Sequence, residues 1–205
     1  MMASLPRLLV RGLAHAGLGV ALAAASLLLP GLAVTIACVA LTLCFLLLEL
    51  ARLRTPFLNR WMGRRLAVVL KSEEQTKVTG ATYFLIGATV ANLAFGGRVG
   101  SLAIVYLALG DPCAAAVGRR LGRVRLWGRT VEGSLACLIV CLVAAIPAAA
   151  VLDEVHLVPA VVGAFAASVF QALPLRLNDN FTIPVGAAAS MAIAEACLHM
   201  SGGGV

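Results

Sequence analysis

The sequence predicts an all-α, polytopic integral membrane protein, one unit over residues 1–205 with about seven transmembrane helices. Three observations predict it. Apolar residues make up 61% of the chain and charged residues 12%, whereas soluble domains are about half apolar and a quarter charged. Mean hydropathy is +1.01, and apolar runs near the length of about 20 residues that a bilayer core demands follow one another with short polar breaks. Finally, the basic residues concentrate in alternate breaks.

The first run, 13–29, lies behind Arg7 and Arg11, an arrangement that formally matches a secretory signal peptide. A second run, 32–50, follows directly across the turn-forming Pro30-Gly31, with no convincing soluble domain after it. Both are therefore read as spans. The longest connection, 51–78, contains the amphipathic stretch "FLNRWMGRRLAVVL", which predicts an interfacial helix with Phe57 and Trp61 toward lipid. Further spans are expected at 79–95, 99–118, 133–152, 157–173 and 181–198, and "SGGGV" ends the chain as a flexible tail.

With the N-terminus in the cytoplasm and the C-terminus outside, fifteen of the sixteen Lys and Arg residues fall in cytoplasmic segments. Only Arg98 lies outside, on the same side as Asp153 and Glu154. Basic residues resist translocation, so the inverted orientation is disfavoured. The net charge of +7 is thereby topological, and no nucleic-acid partner is implied. Arginines outnumber lysines, which together with chain length points to a bacterial plasma membrane. The six cysteines, Cys38, Cys44, Cys113, Cys137, Cys141 and Cys197, show no CxxC pair and no zinc spacing. Cys137 and Cys141 share a helix face as small packing residues, and neither a disulfide nor a metal is assigned to them.

Charges inside a bilayer are costly and usually face a partner or a polar cavity. Six acidic residues gather toward the cytoplasmic face: Glu49, Glu73, Glu74, Asp111, Glu132 and Asp179. Asp111 sits inside the fourth span in "YLALGDPCAAAVGRRLG", where Pro112 should disturb the helix and free carbonyls. It either pairs locally with Arg119 or Arg120 or forms a buried acidic site, and the other acidic segments favour the latter. Glu49 and Arg52 are three apart and fit a local ion pair as well as a functional role. Glu73, Glu74 and Lys77 read as a solvated helix start, with Thr79-Gly80 adding flexible polar backbone. His15 fits a packed or interfacial histidine, and His156 and His199 are assigned nothing. Asn178, Asp179 and Asn180 stand where the last span begins and suit helix capping.

In "LWGRTVEGSLAC", Thr130 can cap the fifth span while Gly133 and Ser134 expose its first N–H groups. A small-residue helix start beside Arg125 and Arg129 is suited to an anion. Glu132 is costly there unless a cation accompanies the anion, and anion plus divalent cation suggests a nucleotide phosphate with magnesium. The chain has no P-loop, no strand–helix GxGxxG, no kinase HRD or DFG, no GxSxG and no HExxH. Any phosphoryl chemistry would run on an all-helical membrane site.

The segments "RGLAH", "ELARLR" with Asn59, "EEQTKVTGATYF", "LGDPCAAAVGRRLG", "GRTVEGSLA" and "NDNFTIPV" stand in the order seen in polyprenol kinases. The chain resembles this CTP-dependent lipid kinase family of dolichol kinase, phytol kinase and yeast-type diacylglycerol kinase over roughly residues 11–185. The resemblance implies transfer of the CTP γ-phosphoryl group to a membrane lipid hydroxyl, with CTP bound around Gly118 to Ser134. Arg129 replaces the usual Lys, Asn178 the first Asp of a common Asp-Asp-Asn, and Gln171 a frequent Glu. Under this reading Asp111 and Asp179 hold magnesium or accept the lipid hydroxyl proton, with Glu132 a third candidate. Arg119, Arg129 and Lys77 hold the triphosphate, Thr130, Gly133, Ser134 and Asn180 complete the nucleotide site, and apolar grooves take the lipid chain. The rivals are a CTP:lipid-phosphate cytidylyltransferase, whose Lys-Asp and Pro-Gly-His-Gly-Gly motifs are missing, and a small transporter, which the one-sided polarity opposes. The lipid is open among prenyl alcohol, phytol, polyprenol and diacylglycerol. The GxxxG spacing of Gly118 and Gly122 suits either a homo-oligomer or close approach to a ligand.

Overall fold

In the computed structural model the described residues are 5–67, 70, 72–152 and 155–202. The structure is 84% helical. Its helices are α1 (Leu5–Leu28), α2 (Gly31–Arg54), α3 (Pro56–Arg65), α4 (Gly80–Phe95), α5 (Gly97–Leu121), α6 (Val131–Val151), α7 (Leu157–Ala172) and α8 (Asp179–Gly202), with a 3₁₀ turn at Ser72–Gln75. Every expected span coincides with a helix. Four of them, α2, α5, α6 and most of α8, are long and apolar enough to cross a membrane, while α4, α7 and the Gly12–Ala25 stretch of α1 are shorter apolar helices. Asp153, Glu154 and Lys71, and the side chains of Arg7 and Arg11, lie outside the described residues.

Apolar side chains on the outside fit lipid as the surrounding solvent. Leu32, Ile36, Leu43 and Leu47 of α2 are exposed, as are Leu135, Ile139, Val143 and Ile146 of α6. The amphipathic stretch of 51–78 lies in α3 as far as Arg65; this helix buries no residue and exposes Phe57 and Trp61. Between Thr55 and Pro56 the helix restarts, with Thr55 extended and Pro56 in the first turn of α3, a position that suits proline because its missing N–H would have no helical acceptor there.

Helix α5 is the centre of the bundle. It buries residues on nearly every side, from Gly100 and Ser101 through Tyr106 and Gly110 to Ala114. Small residues let its neighbours approach: Gly110 lies against Cys137 and Cys141 of α6, and Gly19 of α1 lies on Ala108. The two cysteines are thus the packing pair that their spacing predicts, and all six cysteines are free thiols. Tyr106 donates its hydroxyl to the Ala160 carbonyl of α7 at 2.8 Å. Pro112 does not break α5, contrary to the expected disturbance; the helix runs through it, and only the Ala108 carbonyl loses its helical donor.

Contacts along the helices show that α1, α4, α6 and α8 begin at one end of the bundle, where α2, α5 and α7 finish. Gly12 meets Pro112 while Gly19 meets Ala108; Glu49 meets Thr79 while Thr42 meets Thr89; Ser134 meets Ser168 and Gln171. This end collects the polar motifs. It also contains a feature the sequence did not announce, a two-residue hairpin with β1 (Arg125–Leu126) antiparallel to β2 (Arg129–Thr130). Trp127 and Gly128 both have positive φ, 49° and 85°, as the tight turn between twisted strands requires.

Candidate functional site

A cavity of about 680 Å³ opens at this end. Helix α5 lines it with Ala108, Leu109, Asp111, Pro112, Ala115, Ala116 and Arg119, a single face at spacings near three and four. Opposite stand Gly12, Leu13, His15 and Ala16 of α1, Arg129 of the hairpin, and residues of the α7–α8 connection through Asn178, Asp179 and Asn180. From Ala108 to Arg119 the α5 wall rises about 16 Å at 1.5 Å per residue. It passes from small apolar side chains to the guanidinium, with Asp111 between.

Two of the three carboxylates expected at the site, Asp111 and Asp179, and two of the three cations expected to hold phosphate, Arg119 and Arg129, share this cavity with Asn180. Arg129 donates to the Asp179 carboxylate in an ion pair. The side chains are about one third and one quarter exposed, 34% and 26%. The α7–α8 connection is shaped by Asn178, whose Oδ1 accepts the Asn180 amide at 3.0 Å and whose carbonyl accepts from Phe181 and Thr182. Asn178 caps as its residue type predicts, and it aims the next two residues at the cavity.

Other expected members fall elsewhere. Glu132 accepts the Val124 amide at 3.1 and 3.4 Å, closing the base of the hairpin, and does not line the cavity. Thr130 caps α6 by accepting the Gly133 amide at 3.2 Å. Gly133 is buried against Gly118 and the Ala114 carbonyl, and the Ser134 hydroxyl donates to the Thr130 carbonyl and to Gln171. The start of α6 is therefore packed against α5 and α7 rather than opened to the cavity. Lys77 is exposed outside it. A site joining Asp111, Asp179 and Glu132 is not formed: among the described residues no group of three His, Cys, Asp or Glu side chains is arranged for a metal.

His15, expected to be packed or interfacial, packs its ring edge-on to Phe84 with centroids 4.8 Å apart and also lines the cavity. It shares the cavity with Asp111 because α1 packs along α5, Gly12 against Pro112, which local spacing does not reveal. At the far end of the bundle His156 and His199 both reach Glu195, at 2.7 and 3.2 Å. The i, i+4 spacing of Glu195 and His199 was a usable signal for that pair.

Comparison with protein-family models, with curated proteins and with solved structures gives no match to this chain.

Proposed function

We propose that the protein is a CTP-dependent lipid kinase that phosphorylates the hydroxyl of a membrane lipid alcohol at the cytoplasmic face. The observation that carries the reading is the single cavity lined by Asp111, Asp179, Arg119 and Arg129 on one side and by Leu13, Ala16, Ala108 and Leu109 on another. Phosphoryl transfer needs positioning and neutralised phosphate charge more than covalent help. Arg119 and Arg129 supply planar forks suited to phosphate oxygens. The apolar wall suits an isoprenoid or acyl chain.

Asp111 and Asp179 fit magnesium, which is commonly held by one or two carboxylates together with substrate phosphates; when bound it would neutralise charge on the triphosphate. Either carboxylate can accept the proton of the lipid hydroxyl as its oxygen bonds to the γ-phosphorus. The bond from that phosphorus to the β-phosphate oxygen breaks, and CDP leaves. Arg129 would exchange Asp179 for phosphate as the nucleotide enters.

The topology proposed with this function is seven crossings, N-terminus in the cytoplasm. Its support is the gathering of the hairpin, the cavity and the basic connections at one end, with Arg98 in the first turn of α5 at the other. Single cysteines at 98 and 127, in a chain otherwise free of thiols, should be labelled from opposite sides of sealed vesicles.

The deciding experiment incubates the purified protein with CTP or ATP, magnesium and a panel of lipid alcohols, with mass spectrometry of the products. A lipid monophosphate with CDP is expected. A CDP-lipid with pyrophosphate would replace the proposal with the cytidylyltransferase. Asp111→Asn should lower turnover by about 10²–10⁴-fold, the usual contribution of positioned proton transfer. Full retention of turnover would remove Asp111 from the mechanism.

A further inference from the structure

Arg52 is 1% exposed, in a chain whose other described arginines stand at or near the surface. Its guanidinium has five N–H donors, and five bonds are made. Nε and Nη2 donate to Glu49 Oε2, at 3.1 Å for the former. Nη1 donates to Asn59 Oδ1 at 2.9 Å and to the Glu74 carbonyl at 2.8 Å. Nη2 also donates to the Lys77 carbonyl at 2.8 Å. No donor is left for a ligand.

What these bonds hold is the connection into α4. Glu49 Oε1 accepts the Thr79 amide at 2.9 Å and the Thr82 hydroxyl at 3.1 Å. Glu74 accepts the Gly80 amide at 2.9 Å, and Asn59 Nδ2 donates to the Gln75 carbonyl at 2.8 Å. The polar backbone at Thr79-Gly80, expected to be flexible, is thus bonded on both sides. The network then crosses to the cavity, because Asn180 Nδ2 donates to the Gly80 carbonyl at 2.8 Å. Asn180 lines the cavity beside Asp179.

We infer that Arg52 is a positioning residue for the candidate site: it fixes residues 74–80 so that Gly80 holds Asn180, and with it the start of α8, at the cavity wall. The physical coupling stands on these bonds alone, and its effect on turnover rests on the lipid-kinase reading. A lysine at 52 keeps a charge for Glu49, but its three donors on a point charge cannot bridge Glu49, Asn59 and two loop carbonyls together.

Hydrogen exchange by mass spectrometry on the full chain in nanodiscs tests the coupling. In Arg52→Lys, amides of 74–82 and of 178–183 should both exchange about tenfold faster, equivalent to losing about one net hydrogen bond. Amides of 160–168 in α7 should not change. Asn59→Ala removes two of the ties from a half-buried position and should give the same two-segment pattern at smaller amplitude, which covers the case that Arg52→Lys does not fold. Acceleration confined to 74–82 in the variant that folds overturns the inference. With CTP and the accepted lipid, Arg52→Lys and Asn180→Ala should each lower kcat about tenfold. The double variant should be no worse than the weaker single one, since both act through one connection. Multiplied losses would overturn it too. A wild-type protein that transfers nothing from CTP would refute the kinase reading and leave the exchange result to decide the coupling.

Discussion

Helix α4 and the start of α8 touch at Gly87, and this contact sets where Asp179 and Asn180 lie. A Cβ added to Gly87 would sit 2.7 Å from the Asn180 carbonyl oxygen, 3.0 Å from the Phe181 Cα and 3.0 Å from the Pro184 ring. Ordinary contact begins near 3.4 Å, so the shortfall at Asn180 is about 0.7 Å. Two of the three obstacles are backbone, and no rotamer change relieves them. Proline at 184 also gives the Asn180 carbonyl no helical donor, so that carbonyl is free to lie against the glycine. Gly87→Ala must therefore push α8 from α4, at the overpacking cost of about 1–3 kcal/mol. For a chain of this size that corresponds to about 2–12 °C in melting temperature. Gly17→Ala is the control: Gly17 is exposed on α1 with nothing within 4 Å of the new methyl, so helix propensity alone should stabilise it by about 0.5–1 kcal/mol. Thermal unfolding in detergent micelles by circular dichroism measures both. A Gly87→Ala protein melting at or above the wild type, with Gly17→Ala behaving as stated, would refute the close-approach argument.

Thr130→Ala should destabilise by about 1 kcal/mol through loss of the α6 cap, and Thr130→Ser, which keeps the accepting oxygen, should recover most of it in the same melting assay; equal melting of the two would mean that the Thr130 methyl, which packs toward Gly122, dominates. Tyr106→Phe should lower stability by about 0.5–1.5 kcal/mol, because the α5–α7 bond to Ala160 is lost without a change in packing volume. An unchanged melting temperature would show that this buried hydroxyl contributes nothing net.

The helices were legible because exposed and core positions are both apolar here, so each long helix reads as a nearly continuous apolar run whichever way it faces. The end of α2 illustrates the limit. Glu49 and Arg52 were visible as an i, i+3 pair, but beside Asn59 Oδ1 the acceptors that complete the guanidinium are the carbonyls of Glu74 and Lys77. Backbone acceptors leave no mark on residue type. Likewise Glu132 drew attention as a carboxylate near arginines, and what it accepts are backbone amides at the base of the hairpin, that of Val124 among them. The hairpin was hidden because Trp127 takes a positive φ that its side chain disfavours, so only Gly128 could signal the turn. His15 became a cavity residue through the packing of α1 along α5, where Gly12 meets Pro112 a hundred positions later in the chain.

Two arginine–carboxylate pairs at the same end of the bundle now separate by a physical criterion. In the Glu49–Arg52 pair the side chains are 8% and 1% exposed, and every donor of the guanidinium is occupied by protein. Removing either partner would strand a buried charge, at a cost of about 3–5 kcal/mol, so this pair is fixed. In the Arg129–Asp179 pair the side chains are 34% and 26% exposed and both line the cavity. Each member can leave the other for an incoming group of opposite charge while remaining solvated. The same residue chemistry therefore serves as scaffold where water is excluded and as an exchangeable pair where water enters. Ligand binding should be sought at Arg129 and Asp179, and its positioning at Arg52.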